Sequence, residues 1–155
     1  MHLLNTKWIL WFHNPLDNNW NIDSYINIAT ITSIEDFWGI YNNIDSKIIE
    51  NGMLFLMRDK IEPLWEHTEN INGGSWSFKI PKENIKSIWD EISINLCIEN
   101  VSNNDKNIIN GISISPKKKF SILKIWNKNK NIDSIENLNK LDILSYDESL
   151  YKPHC

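Results

Sequence analysis

The chain has 155 residues, of which 41% are hydrophobic and 23% charged, and its formal net charge at pH 7 is −4. This length and composition are typical of one globular domain that buries a sizeable core, so we expect residues 1–155 to form a single domain. The negative net charge argues against non-specific binding of nucleic acid by the whole surface, and any phosphate site must therefore be local.

The cysteine content and the N-terminus indicate the compartment. Cys97 and Cys155 do not have a metal-binding spacing and suggest no disulfide framework, which favours a reducing environment. No run approaches eighteen apolar residues, and the first residues lack the pattern of a signal peptide. We expect a cytoplasmic protein, with the nucleus as the alternative, and no membrane association. Asn, Ile and Lys recur in nearly every block, as in the AT-rich genome of a large virus or a parasite.

The first half of the chain alternates strand patterns with one amphipathic helix. Residues 7–13 are rich in aromatic and β-branched side chains and predict a strand. A turn-forming loop follows and carries Trp20 near its end, before a second strand at 24–31. The helix at about 34–44 has a core stripe formed by four residues: Phe37, Ile40, Tyr41 and Ile44. Ile34 and Trp38 lie on a neighbouring face, which makes them a candidate docking patch.

The second half predicts more strands, two helices and a short tail. The predicted strands are 53–58, 76–80, 109–115, 120–127 and 142–146; the helices are about 83–97 and 133–141; the tail is 147–155. Strand pairs interrupted by single helices indicate an α+β fold. We expect a curved antiparallel sheet with about three helices on its convex face.

Residues 61–78 place an indole beside a carboxylate at the edge of a loop. Pro63 precedes Leu64, Trp65 and Glu66, and a new strand begins at Trp76 after a glycine pair. An indole can stack on a base, and a carboxylate can accept its hydrogen bonds. Structural packing of this pair is the alternative. For four of the eight tryptophans we favour core packing: Trp8, Trp11, Trp76 and Trp89.

The order and spacing of these motifs resemble the eukaryotic translation initiation factor 4E family, which binds the 7-methylguanosine cap of messenger RNA. The resemblance runs from about residue 2 to 146 and rests on the tryptophans together with IEDFW at 34–38, IEPLWE at 61–66 and GGSW at 73–76. It implies a cupped antiparallel sheet backed by three helices.

The resemblance also implies roles for individual residues. Trp20 and Trp65 would sandwich the methylated base, Glu66 would accept hydrogen bonds from guanine N1 and N2, and Trp126 would touch the methyl group. Lys117 and Lys119 match the basic positions that hold the phosphates. Lys124 lies two residues before Trp126, so it would share that face of the strand and reach the phosphates as well.

A second implied site binds a scaffold or repressor protein through a helical peptide with a tyrosine, four spacer residues, a leucine and a bulky apolar residue. The residues assigned to this site are His2, Leu4, Ile34, Trp38 and Asp90. We expect a monomer that binds capped messenger RNA without a cofactor or a metal ion. The function would be translation initiation or its control, with a cap-sequestering repressor as the alternative.

Several positions depart from the family pattern. Ser75 stands where an arginine is usual, and Ile122 stands where a lysine is usual. Asp90 replaces a leucine of the partner site, and Leu3 replaces a proline. These departures predict an intact base reader with altered phosphate and partner surfaces.

Two other classes of function are open on the residues alone. Tryptophans on a curved sheet also stack on sugars, so a carbohydrate-binding module is an alternative. A hydrolase using Glu62 and Glu66 is disfavoured, because no nucleophile, base or metal set accompanies these carboxylates. The four histidines show no ligand spacing, and we assign neither catalytic nor metal-binding residues.

Overall fold

A computed structural model describes all 155 residues as one antiparallel sheet backed by helices. The strands are β1 (Leu3–His13), β2 (Ile26–Ser33), β3 (Met53–Arg58), β4 (Gly74–Pro81), β5 (Ile109–Pro116), β6 (Phe120–Asn127) and β7 (Leu150–Pro153). Their order in the sheet is β2-β1-β3-β5-β6-β4-β7. The α-helices are α1 (Ile34–Tyr41), α2 (Ser46–Asn51) and α3 (Ile85–Cys97). The predicted fold, a curved antiparallel sheet with three helices, is confirmed.

The main core lies between the helices and one face of the sheet. Successive side chains of a strand point to opposite faces, so β4 directs Trp76 and Phe78 into the core and Ser75 and Ser77 to the other face. The helix α3 buries the predicted apolar face against the same core: Ile85, Ile88, Trp89, Ile92 and Leu96. The second face of the sheet is therefore free to form a binding surface.

Helix α1 begins as the sequence predicts. The Ser33 hydroxyl accepts a hydrogen bond from the Asp36 backbone N–H at 3.0 Å, which satisfies a donor of the first turn. Phe37 and Tyr41 are fully buried, whereas Trp38 is 40% exposed. The helix ends at Tyr41 rather than at residue 44.

The prediction for residues 133–146 was wrong. Ile135, Leu138 and Leu141 have a spacing that imitates a helical stripe, but the segment forms only a 3-10 turn at Ile135–Asn137. The segment forms hydrogen bonds with the loop after α3 instead. Leu138 forms a β-bridge with Ser102, and the Asn139 side-chain amide donates to the Asn100 carbonyl. No strand forms at 142–146.

Two elements were missed in the sequence. Helix α2 is capped by Asp45, whose carboxylate accepts from the Lys47 N–H at 2.9 Å, and it buries Ile49. Residues 147–155, expected to be a tail, contain β7, which pairs with β4. The third helix is therefore α2, and the C-terminal residues extend the sheet.

Two kinds of feature are absent from the chain. No helix combines the length and apolar character that a membrane span requires. No group of three or more His, Cys, Asp or Glu side chains is placed to hold a metal ion.

Candidate functional site

A cavity of about 430 Å³ opens on the sheet face that the helices leave free. Its lining brings together five of the residues selected from the sequence: Trp20, Trp65, Glu66, Lys124 and Trp126. This volume is in the range of small-molecule and cofactor sites. The sheet, two loops and the C-terminal residues thus assemble one pocket from residues far apart in the chain.

Trp20 is held at one side of the cavity by the loop after β1. Side-chain oxygens of this loop accept backbone hydrogen bonds two residues ahead, as Asp17 does from Asn19 N–H at 2.8 Å. The ring of His13 stacks on the Trp20 indole with the centroids 4.2 Å apart and an interplanar angle of 15°. His13 Nε2 lies 2.7 Å from the Asn19 carbonyl oxygen, which fixes the ring. Trp20 is 47% exposed, so much of its indole is available to a ligand.

Trp65 and Glu66 are presented by the loop between β3 and β4. Asn70, which is fully buried, donates from its amide to the carbonyls of Glu62 and Leu64 at 3.1 and 2.9 Å. The amide of Asn110 in β5 donates in turn to the side-chain oxygen of Asn70 at 2.9 Å. These bonds hold the loop on the sheet, while the Trp65 indole remains 50% exposed.

The Glu66 side chain is exposed and is the only carboxylate that lines the cavity. Glu62 does not line it, so the pair of carboxylates considered for a hydrolase is not assembled there. Burial of Tyr25, followed by the nearby Glu66 charge, raises the tyrosine pKa to about 12. The cavity lining therefore combines a single carboxylate with several aromatic side chains.

Trp126 forms the floor. It is 7% exposed, and its indole N–H donates to the Ser113 hydroxyl at 3.0 Å. Phe55 meets it edge-on with centroids 6.2 Å apart, and Tyr25 meets Phe55 in the same way at 5.4 Å. Trp11, expected in the main core, packs partly buried against this small cluster on the cavity side.

The three predicted phosphate-binding lysines do not all line the cavity. Lys124 does, whereas Lys117 and Lys119 are exposed in the turn between β5 and β6. Burial first, and then the charges of Lys117 and Lys152, lower the pKa of Lys124. Lys119 lies outside the lining of the cavity.

The sequence analysis missed two cavity residues near the C-terminus, Lys152 in β7 and His154 directly after it. His154 meets Trp126 edge-on with centroids 5.0 Å apart, and its Nδ1 lies 2.9 Å from the Asn70 carbonyl oxygen. Burial lowers the pKa of His154. The segment LYKPHC has no apolar alternation, so no local signal in the sequence marks these residues.

The residues assigned to partner binding lie on the helix side of the molecule. His2 is fixed at the start of α1, where the Glu35 carboxylate accepts from its backbone N–H at 2.7 Å and contacts its Nδ1 at 3.0 Å. These hydrogen bonds, the backbone one first, lower the pKa of Glu35 to about 2. Trp38 is exposed nearby, whereas Ile34 and Leu4 are half-buried.

Asp90, which replaces a leucine of the partner site, is not a free negative charge in this patch. Its carboxylate is paired with the Lys86 ammonium at 2.6 Å, one turn earlier on α3. Lys86 also donates to the Tyr41 carbonyl at 3.0 Å. Burial raises the pKa of Asp90, and Lys86 opposes this effect. The charge that a partner meets is therefore largely neutralised within the chain.

Comparisons with known proteins agree on one family. The family model described as Eukaryotic initiation factor 4E matches residues 3–154. Eukaryotic translation initiation factor 4E-3 of Arabidopsis thaliana is 31% identical over 133 residues, which cover 83% of this chain and 55% of the relative. Eukaryotic translation initiation factor 4E of Candida albicans is 28% identical over 171 residues, covering 96% of this chain and 81% of the relative.

A solved structure shares the fold. It is the complex of C. elegans eIF4E-3 with the 4E-binding protein Mextli and a cap analogue, with a TM-score of 0.76 and 24% identity. The alignment covers 84% of this chain and 76% of that one. The chain spans just over half the length of the Arabidopsis relative, at 55%.

Proposed function

Because this chain belongs to the eukaryotic initiation factor 4E family, we propose that its cavity binds the 7-methylguanosine 5′ cap of messenger RNA in translation initiation or its control. The base lies between the indoles of Trp20 and Trp65, with Trp126 against the methyl group. Glu66 accepts hydrogen bonds from guanine N1 and N2, and the backbone of Trp65–Glu66 meets O6. The protein acts in the cytoplasm as a monomer.

One observation carries the proposal: two half-exposed indoles and one free carboxylate line the same cavity. Trp20 and Trp65 are 47% and 50% exposed, although burial of an indole normally stabilises a fold. They stand beside Glu66, the only acidic group in the lining. Exposed aromatic faces beside a hydrogen-bond acceptor suit a planar ligand that carries N–H donors at its edge.

The energetics favour a methylated guanine. Stacking of one base contributes roughly 1–3 kcal/mol, and cation–π attraction of the positively charged ring adds about 0.5–2 kcal/mol. Hydrogen bonds to a carboxylate are charge-assisted and select guanine over adenine. After the costs of association, a net binding free energy of about −8 kcal/mol, or micromolar affinity, is expected.

Lysines supply the phosphate end of the site. Lys124 lines the cavity, and Lys117 and Lys119 are exposed in the turn between β5 and β6, outside its lining. These residues concentrate positive charge on a chain whose net charge is −4. Affinity for a triphosphate should therefore fall as the salt concentration rises.

The test is tryptophan fluorescence with 7-methylguanosine triphosphate and with GTP. We expect strong quenching by the methylated nucleotide and much weaker binding of GTP, by about tenfold or more, because the neutral ring lacks the cation–π attraction. Equal quenching by both nucleotides would contradict the sandwich. Binding that is indifferent both to methylation and to salt would instead favour a carbohydrate-binding module, since sugars carry no charge.

The helix side is proposed to bind a scaffold or repressor protein. In the C. elegans complex, eIF4E-3 is bound to both a 4E-binding protein and a cap analogue, which supports two separate sites. Here the partner's helical peptide packs on His2, Leu4, Ile34 and Trp38, beside the Asp90–Lys86 pair. An initiating protein and a cap-sequestering repressor both use this surface.

Replacement of Trp38 by alanine tests this surface. Affinity for a peptide with a tyrosine, four spacer residues, a leucine and a bulky apolar residue should fall about 30-fold, since buried tryptophans dominate such interfaces. Binding of 7-methylguanosine triphosphate should not change. Ile48→Ala is the matched control, because Ile48 is 44% exposed on α2, outside the patch. Loss of cap binding by Trp38→Ala would mean that Trp38 stabilises the fold instead.

A further inference from the structure

The C-terminal strand brings a second lysine into the cavity. β7 pairs with β4 in a register that sets Lys152 directly opposite Ser75, and Lys152 lines the cavity together with Lys124. We propose that Lys152 is a phosphate-binding residue of this site, donated by the edge strand of the sheet. This inference rests on the proposed cap-binding function and adds a cation to its phosphate end.

The sheet register places Lys152 and Lys124 on the same face. Ser75 pairs with Lys152 on one side and with Trp126 on the other, and side chains of such partners point the same way. Lys124 lies two residues before Trp126 on β6, so it points to this face as well. The two lysines therefore approach the same volume from opposite sides of β4. Ser75 and Ser77, the residues between them, have short side chains that leave that volume open.

The charges around this volume are unbalanced. The three ion pairs of the chain use other residues, and the one carboxylate in the cavity is Glu66, next to the indoles. Lys117 and Lys152 both act on Lys124 as like charges, which repel in the unliganded protein. An anion between them would relieve the repulsion and bind both ammonium groups. A polyphosphate is the anion that extends from a base held by the tryptophans.

The backbone that carries Lys152 is fixed on the sheet. The Tyr151 hydroxyl donates to the Asn127 side-chain oxygen at 2.7 Å, and the His154 N–H donates to the Gly73 carbonyl at 2.9 Å. Gly74 lets the strands approach closely, since a Cβ added there would lie 2.5 Å from the Lys152 carbonyl oxygen. Lys152 is thus presented from a defined strand position. A lysine whose role is only to protect a sheet edge from aggregation does not have to line a cavity, as Lys152 does.

The experiment compares the Lys152→Gln chain with its parent by tryptophan quenching, using 7-methylguanosine triphosphate and the phosphate-free nucleoside 7-methylguanosine. For the triphosphate we expect a loss of affinity of about five- to tenfold at low salt, shrinking at high salt because the contact is screened. For the nucleoside we expect no change. Lys7→Gln is the matched control, since Lys7 is an exposed strand lysine outside the cavity.

A second variant provides a rescue. Ser75 pairs directly with Lys152, so an arginine at position 75 places a cation in the same volume. The double variant Ser75→Arg/Lys152→Gln should regain most of the lost triphosphate affinity, while the nucleoside affinity stays constant.

The outcomes separate this proposal from the proposed function. Unchanged triphosphate affinity of Lys152→Gln would overturn the assignment of Lys152 alone, and so would an equal loss for nucleoside and triphosphate. Failure of the parent chain to bind either methylated ligand would overturn cap binding and this assignment together. Thermal unfolding of each variant shows whether β7 remains folded. Recovery of triphosphate affinity in the Ser75→Arg/Lys152→Gln double variant excludes a general loss of structure.

Discussion

Replacement of Glu66 by alanine should lower the affinity for 7-methylguanosine triphosphate about 100-fold, because two charge-assisted hydrogen bonds are lost. The Glu66 side chain is exposed, and removing it opens no cavity in the core. The free energy of unfolding should therefore stay within about 0.5 kcal/mol of the parent value. The effect is expected in ligand recognition alone.

The most specific measurement compares the affinities for two nucleotides with different methylated bases. 7-methylinosine lacks the N2 amino group, so the parent should bind its triphosphate about tenfold more weakly than the guanosine ligand. Glu66→Ala should bind the two with equal affinity. Glu69→Ala is the control, since Glu69 is an exposed glutamate of the same loop outside the cavity lining. Full discrimination by Glu66→Ala would place the base reader elsewhere.

Replacement of Glu99 by alanine should destabilise the fold by about 3–5 kcal/mol, because it leaves a buried guanidinium without its counter-ion. Arg58 donates to both carboxylate oxygens of Glu99, at 2.7 and 3.0 Å, and both side chains are about nine-tenths buried. The guanidinium also lies 4.4 Å from the Trp8 ring centroid and donates to the Ile109 carbonyl at 2.8 Å. These remaining contacts favour the lower end of the range.

Urea denaturation at neutral pH measures this effect. Glu91→Ala, an exposed glutamate on α3, is the matched control and should change the free energy of unfolding by less than about 0.5 kcal/mol. The double replacement Arg58→Met/Glu99→Leu should recover much of the loss, because apolar residues of similar volume avoid the desolvation of two charges. A change below about 1 kcal/mol for Glu99→Ala would show that the pair is solvated.

Strands with a strong apolar alternation could be predicted from the local sequence. Regions without such an alternation could not. β3 was predicted with its observed bounds, and the bounds of β5 and β6 with an error of one residue at most, since their apolar alternation is strong. The stripe at Ile135, Leu138 and Leu141 misled the prediction, because its apolar residues pack without forming a helix. β7 has four residues and little apolar character, so its pairing with β4 depends on contacts about 75 residues away in sequence.

The residues proposed to bind the base could be selected from the sequence by itself. Trp20 and Trp65 stand in polar loops where an indole has no core to join, and Glu66 is adjacent to the second one. The tertiary structure decided the rest: Lys86 pairs with Asp90, and both Lys117 and Lys119 lie outside the cavity lining. It also brought Lys152 beside Ser75, the position that lacks an expected arginine. Local sequence specifies which side chains are left exposed at the end of a strand, whereas strand pairing across the sheet specifies which of them meet.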